Sequence, residues 1–309
     1  MNNEKHIPVL LKEVIEGLNI KKDGIYVDLT LGRGGHSEQI LARLDKGLLI
    51  GVDQDETAIK ESEARLSKVN RSFRLVRSNF IKIDEILESL SIDKVDGILM
   101  DLGVSSPQFD DITRGFTYRF DSELDMRMDQ RNELTAKKVV NTYSLEDLTK
   151  VFRDYGEEKY AYSIAKNIVK ARVSKPINTT FELVDIIKAS KPSKELKKVG
   201  HPAKQVFQAL RIEVNDELNI LFKTLDKVTK HLNKGGRLAV ISFHSLEDRI
   251  VKQKFKELAV VEGNRYDLPD NNKNVEFKLV NTKVIVPSEE ELQINHRAQS
   301  SKLRIIEKL

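Results

Sequence analysis

The first hundred residues repeat one pattern four times: a short apolar run, a polar or glycine-rich break, then apolar positions at helical spacing. The runs are Ile25–Leu29, Leu48–Asp53, Phe73–Arg77 and Ile98–Asp101. Each is short and apolar, as strands buried on both faces are. Between them Ile40, Leu41 and Leu44 mark one helix, and a polar-faced helix runs from Asp55 to Val69 behind an Asp cap. Ile83, Ile86, Leu87 and Leu90 line a third helix. A repeat of about 25 residues suits strand–helix–strand units, and right-handed crossovers then force a parallel sheet with helices on its faces. The expected fold class is therefore α/β, with a doubly wound sheet.

The rhythm stops at about Gln108. From there to Leu210 the pattern predicts helices only, with Ser144–Asp147 and Thr179–Glu182 reading as capping boxes and Pro176 and Pro192 as punctuation. A long amphipathic stretch from Val206 to Leu232 then leads through Gly235 and Gly236 into a fifth buried strand, Leu238–Ser242. Lys283–Val286 and Leu303–Ile306 are two further strand candidates. The simplest organisation is one α/β domain built from residues 1–109 and 206–309, interrupted by a helical insertion over 110–205.

Composition excludes several classes. The 309 residues are 39% apolar and 32% charged, with 52 Lys+Arg against 48 Asp+Glu, so a polybasic protein is ruled out. There is no cysteine, which removes disulfides, thiolate metal sites and thiol nucleophiles together. No apolar run approaches the roughly 18–20 residues of a membrane span. The start, Met1 to Lys5, does not read as a signal peptide. A cytoplasmic protein is expected. The 6 histidines fall at no metal-ligand spacing, so no metal site is expected, and His201, His231 and His244 read as packed, hydrogen-bonded residues.

The chemistry is concentrated at the predicted strand ends. Asp28 precedes the loop Gly32-Arg-Gly34-Gly35-His36, and Asp53 ends the second strand. Ligands of open α/β sheets bind outside the carboxyl ends of the strands, where glycines let the backbone approach and an acid after strand two can take both ribose hydroxyls. NAD and S-adenosylmethionine share that arrangement. The third position of the dinucleotide glycine pattern is Ser37 here, and Asp28 would oppose a pyrophosphate while suiting an ammonium or sulfonium. Asn79 and Phe80 end strand three, and Phe80 reads equally as an adenine cover and as core.

Strand four ends in Asp101-Leu-Gly-Val-Ser105-Ser106-Pro-Gln108-Phe109. Ser-Ser-Pro by itself is an ordinary turn, but with an aromatic close behind it is similar to the Ser-Pro-Pro-aromatic loop of amino-methyltransferases. An exocyclic base amine is a poor nucleophile until oxygen acceptors draw its lone pair out of conjugation and take its proton. Asp101, Ser105 and Ser106 would be such acceptors. Methylation at cytosine carbon 5, which proceeds through a thiol adduct, is outside the reach of a chain without cysteine.

Several segments occur together in one order: His6-Ile-Pro-Val-Leu-Leu, the Gly32–Ser37 loop, Asp101–Gln108, Leu124-Asp-Met-Arg-Met-Asp129 and His201-Pro-Ala203. They continue with Phe207–Glu217, Ser242-Phe-His-Ser-Leu-Glu-Asp-Arg249 and Asn295-His-Arg-Ala298. The set closely resembles the bacterial small-subunit ribosomal RNA cytosine-N4 methyltransferase family, known as MraW or RsmH, from His6 almost to the last residue. The resemblance implies a Rossmann-like S-adenosylmethionine-dependent methyltransferase sheet with a helical insertion. It also implies methylation of a cytidine amine in the decoding region of small-subunit rRNA. Carried over by position, the cofactor contacts are Gly34, Gly35, His36, Asp53, Phe80, Asp101 and Gln108. Ser122-Glu123 and Gln299 depart from the family pattern, which bears on local loop shape and one phosphate contact.

The partner implied is small-subunit rRNA, naked or within the assembled subunit, with no membrane role and an oligomeric state compatible with a homodimer. Ten basic residues between Ala161 and Leu210 (Lys166 to Lys204) face three acids, Glu182, Asp185 and Glu195, an imbalance that suits phosphate contacts. Arg114, Tyr118, Arg119, Arg127 and Arg131 read equally as nucleotide-facing residues and, beside Met126 and Met128, as part of a packed extended segment. A nicotinamide dehydrogenase and a non-catalytic RNA-binding factor are the rival readings.

Overall fold

The computed structural model describes residues 7–104, 109, 111–259 and 275–309. Its sheet has seven strands: β1 (Ile25–Asp28), β2 (Leu48–Asp53), β3 (Phe73–Arg77), β4 (Val95–Asp101), β5 (Leu232–Ser242), β6 (Phe277–Leu279) and β7 (Lys302–Lys308). Their order is β3-β2-β1-β4-β5-β7-β6, with β1 to β5 parallel and β7 antiparallel to both its neighbours. The chain reverses direction across the sheet between β1 and β4, so the crevice of an α/β sheet is expected at the ends of those two strands.

The four early runs fold as the alternation requires. Side chains of successive strand residues face opposite layers. Val27, Ile50, Val52, Ile98 and Met100 join one buried cluster with Ile86, Leu87, Leu221, Leu225 and Phe255. Tyr26, Leu49, Leu99 and Ile241 join another with Val14, Leu18, Ile40, Leu41 and Leu66. Each fully buried aliphatic side chain contributes about 1.5–3 kcal/mol. The helix Glu56–Leu66 begins at Asp55, whose carboxylate accepts from the Thr57 N–H as the sequence predicts.

Three later elements differ from expectation. The amphipathic stretch after Val206 is two helices, Lys204–Asn215 and Glu217–Val228, broken where Asp216 takes a left-handed backbone (φ 51). Lys283–Val286 is not a strand; only Ile285 bridges to Leu303, while β6 lies at Phe277–Leu279, with one apolar side chain fully buried. β5 starts six residues before its apolar run, and the pairing with β4 jumps between Val95 and Gly97, leaving a bulge around Gly235.

The chain divides into two compact units, Met1–Gly103 with Leu218–Leu309, and Val104–Glu217. The second unit carries the helices Ala136–Thr142, Leu145–Asp154, Ala161–Ser174, Thr180–Ala189, Ser193–Leu196 and Lys204–Asn215. Of the two expected capping boxes, Thr179 with Glu182 makes a full one, whereas Ser144 is a simple N-cap that accepts from the Asp147 N–H while the Asp147 carboxylate takes the Ser144 hydroxyl. This unit has its own core, in which Met126 and Met128 are buried with Phe152, Ile164, Leu183 and Leu210. No described helix is long and apolar enough to cross a membrane.

Burial also reaches two cations of the basic stretch. Lys191 donates to Glu158 (2.6 Å) and to the Pro202 carbonyl (2.7 Å), with side chains only 7% and 1% exposed. Arg172 donates to the carbonyls of Val140 and Tyr143. These two are structural and leave the set available to phosphates. Removing one partner of a buried ion pair strands the other charge. Glu158→Ala should therefore lower the unfolding free energy by about 3 kcal/mol in urea titrations.

Candidate active site

β1, β2 and β4 each end on an aspartate, and the three acids are held differently. Asp28 is buried; its carboxylate accepts from the Ser37 hydroxyl (2.8 Å) and the Thr30 N–H (3.1 Å). Asp53 accepts one backbone N–H on each oxygen, from Gly32 (2.9 Å) and from Asp55 (2.9 Å). The glycine loop is thus tied to the end of β2 by the same acid that the sequence marks for a ribose. Asp101 donates its own N–H to the Thr30 hydroxyl (2.6 Å), which joins the tip of β4 to the tip of β1. Among the described residues its side chain has no such anchor: Oδ1 is buried with no hydrogen-bond partner there, and Oδ2 lies 3.7 Å from His36 Nδ1.

Gly34 and Gly35 are where the loop needs them. Gly34 has φ +70, and a Cβ there would lie 3.1 Å from the Ser62 hydroxyl. A Cβ on Gly35 would come within 2.5 Å of the Pro8 ring. Any side chain at Gly34 would be strained in that backbone region. Ser62 also donates to the Gly32 carbonyl (2.8 Å), fixing the loop from the helix Glu56–Leu66. His36 is the second residue of the helix Gly35–Leu41 and is buried, its Nε2 set 2.9 Å from the Val9 carbonyl.

The structure brings Gly34, Gly35, His36, Asp53 and Asp101 into one connected group through Thr30, Ser37 and Gly32. Phe80 opens a short 3-10 turn after β3, capped by Asn79, and is half-buried against the apolar cluster under the sheet. Asn79 also donates to the Gln54 side chain just past β2 (3.3 Å). Ser105, Ser106 and Gln108 lie outside the described residues. Sequence reasoning missed Thr30, Ser37 and Ser62, the hydroxyls that hold this group together. Glu247 was overlooked too; its Oε2 accepts from the Phe243 and His244 N–H groups where the chain leaves β5.

Electrostatically the group is anionic. Burial pushes Asp28 up to about 6 against the hydrogen bonds from Ser37 and Thr30. Burial likewise takes Asp53 to about 6 despite its two backbone donors. Asp101 is pushed well above the usual carboxylate range by burial and then by the neighbouring Asp28 and Glu247 charges. No described Lys or Arg side chain hydrogen-bonds to any of the three. Such a site disfavours further anions and favours a cation.

The Val104–Glu217 unit carries a second feature. Tyr118 stacks on His201 with centroids 4.2 Å apart, and Phe207 meets Tyr118 edge-on. Tyr118 and His201, with Arg119, Phe181, Val184, Asp185 and Lys188, line a cavity of about 320 Å³. Burial lowers the His201 pKa, and Lys188, Arg119 and Lys191 add to the effect. The other arginines of this segment are engaged within the unit. Arg114 donates to the Arg127 and Met128 carbonyls, Arg127 pairs with Asp125, and Arg131 pairs with Asp129.

A family model described as the MraW methylase family matches residues 3–309. The chain is 52% identical to the ribosomal RNA small subunit methyltransferase H of Mesoplasma florum over 309 residues, covering 99% of each. It is 53% identical to the protein so named in Clostridium botulinum (strain Kyoto / Type A2) over 308 residues, 99% of each. The Clostridioides difficile counterpart is 50% identical over 307 residues, 98% of this chain and 99% of that one. Among solved structures, an rRNA methylase from Streptococcus thermophilus is similar at 14% identity and a TM-score of 0.42, covering 97% of this chain and 93% of that one.

The buried acids have a measurable consequence for the free protein. Between the ordinary value of 3.8 and about 6, Asp28 and Asp53 keep protons in the folded chain that the unfolded chain has released. Raising the pH through that window therefore works against the fold. Acids held low, such as Glu182 at about 2, work the other way only until their unfolded-state value, 4.5 for Glu182, has been passed. The unfolding free energy of the ligand-free protein should therefore fall between about pH 5 and pH 6 in urea titrations. A rise across that interval would count against the raised values of these two acids.

Proposed function

Because the chain belongs to the MraW methylase family, we propose that it methylates the exocyclic N4 amine of a cytidine in the decoding region of small-subunit rRNA, with S-adenosylmethionine as the donor. The observation that carries this reading is the trio of strand-end acids, Asp28 buried and Asp53 and Asp101 partly so, with no cationic hydrogen-bond partner among the described residues. A dinucleotide would bring a pyrophosphate to this anionic crevice, whereas a sulfonium and an ammonium complement it. The dehydrogenase reading is disfavoured on that ground.

The residues present fit the donor. Asp53, already squared by two N–H groups, has oxygen lone pairs left for two ribose hydroxyls. Phe80 would cover the adenine, and Gly34, Gly35, His36 and Asp101 would line the methionine part; the family resemblance adds Gln108 to that set. When bound, S-adenosylmethionine supplies a methyl group on a sulfonium: the amine lone pair forms the N–C bond as the S–C bond breaks and its electron pair stays on sulfur. Asp101 would accept from the amine so that its lone pair is free for the donor, and would take the N–H proton that the methylated nitrogen sheds; the family resemblance assigns Ser105 and Ser106 to the same task.

The Val104–Glu217 unit holds the RNA in this reading. Support comes from the stacked Tyr118–His201 pair beside Arg119 and Lys188, a combination suited to a splayed base and its phosphate. The exposed lysines of the same unit, Lys194 and Lys197 among them, add sequence-independent attraction. The same reading places the chain in the cytoplasm, acting on rRNA or the assembled small subunit, and is compatible with a homodimer.

Nucleoside digests of small-subunit rRNA from cells with and without the gene, read by mass spectrometry, test the proposal directly. N4-methylated cytidine should be present in the first and missing from the second; equal amounts would overturn it. Replacing Arg119 and Lys188 together with Glu should weaken binding of an rRNA fragment, flatten its salt dependence and leave S-adenosylmethionine affinity unchanged in calorimetry. Unaltered RNA binding would refute the role given to that cavity.

A further inference from the structure

Asp28 and Glu247 each have donors that stabilise a carboxylate: Thr30 and Ser37 for the first, the Phe243 and His244 N–H groups for the second. Both charges push Asp101 further up, and its Oδ1 is buried with no hydrogen-bond partner among the described residues. Its Oδ2 lies 3.7 Å from His36 Nδ1. The other ring nitrogen, Nε2, lies 2.9 Å from the Val9 carbonyl, an acceptor only, so Nε2 carries the hydrogen. In the neutral ring Nδ1 therefore turns a lone pair toward Asp101. An ionised Asp101 would set its buried Oδ1 near two carboxylate charges without a donor and its Oδ2 toward a lone pair, whereas a protonated one has a proton to point at Nδ1.

We propose that Asp101 holds a proton in the ligand-free enzyme and releases it when a cationic ligand occupies the strand ends, so that the base for methyl transfer forms only in the complex. This rests on the function proposed above. The protons balance over one turnover. Binding of the sulfonium cation expels the Asp101 proton to solvent. The carboxylate then takes the proton lost by the target amine, and the neutral thioether left behind restores the resting charge. Across the cycle one cation and one amine become a thioether, a methylated amine and one solvent proton. A base armed by its own co-reactant stays neutral, and so easier to bury, whenever the donor is missing.

Infrared difference spectra of the ligand-free protein at pH 8, wild type against Asp101→Asn, give the first arm. Asp28 and Asp53, near 6, are ionised there, so a protonated carboxyl band that vanishes in the variant belongs to Asp101. Adding S-adenosylmethionine should abolish the band in the wild type. S-adenosylhomocysteine, which lacks the sulfonium charge, should leave more of it. Calorimetry in buffers of different ionisation enthalpy should show up to one proton released per S-adenosylmethionine bound, and none attributable to this site in Asp101→Asn. Should that variant misfold, Glu247→Gln replaces it; loss of the neighbouring charge should move the wild-type band's disappearance to lower pH. No protonated carboxyl in the free protein, or an imidazolium at His36 by 15N resonance, overturns the inference. Binding of S-adenosylmethionine with the band intact overturns it alone, and failure to bind S-adenosylmethionine overturns the functional reading and the release step with it.

Discussion

β1 and β4 run parallel and pair directly, so their last residues, Asp28 and Asp101, are brought to the same edge of the sheet. Both side chains leave most of their water there, and the partners supplied by the fold are hydroxyls, N–H groups and an imidazole. Concentrated negative charge of this kind is unfavourable in the free protein and becomes favourable with a cation beside it. The rest of the site is arranged around that imbalance. Thr30 ties the two strand ends together, Ser62 and Asp53 clamp the glycine loop, and Val9 fixes which nitrogen of His36 carries hydrogen.

Much of the architecture could be read from residue order because the forces involved are local. The strand runs are apolar and short, the caps are Ser, Thr or Asp at helix starts, and Asp53 follows an apolar strand immediately. The hydroxyls of Thr30, Ser37 and Ser62 could not be singled out in the same way. Serine and threonine are common, and the bonds that matter here span up to 71 residues of sequence. Lys191 and Arg172 illustrate the converse error: counted as surface cations from composition, they are spent on Glu158 and on carbonyls within the unit. The strand at Phe277–Leu279 escaped notice because a three-residue element at a sheet edge has too little apolar periodicity to register.

The two rings Tyr118 and His201 are 83 positions apart in the chain yet stack nearly parallel, with an interplanar angle of 7°. A motif scan marks His201 by its neighbours Pro202 and Ala203, and the structure gives a reason for that run: the Ala203 N–H donates to His201 Nδ1 and orients the ring. Orientation by a backbone N–H leaves Nε2 as the donor nitrogen. A base laid against this pair would thus meet a fixed pattern of aromatic face and single N–H, with Asp185 available for an amine.

Separating β4 from β5 by the Val104–Glu217 unit carries a kinetic consequence. The central ladder joins Asp101 to Ile241, about 140 positions along the chain, and a loop that long is slow to close as an open coil. Because the intervening segment has a buried core of its own, it can collapse on local contacts before the ladder zips. The chain then closes around a globule instead of a long coil. Mutations that loosen the Met126–Leu210 core should for that reason slow assembly of a sheet whose own residues they never touch.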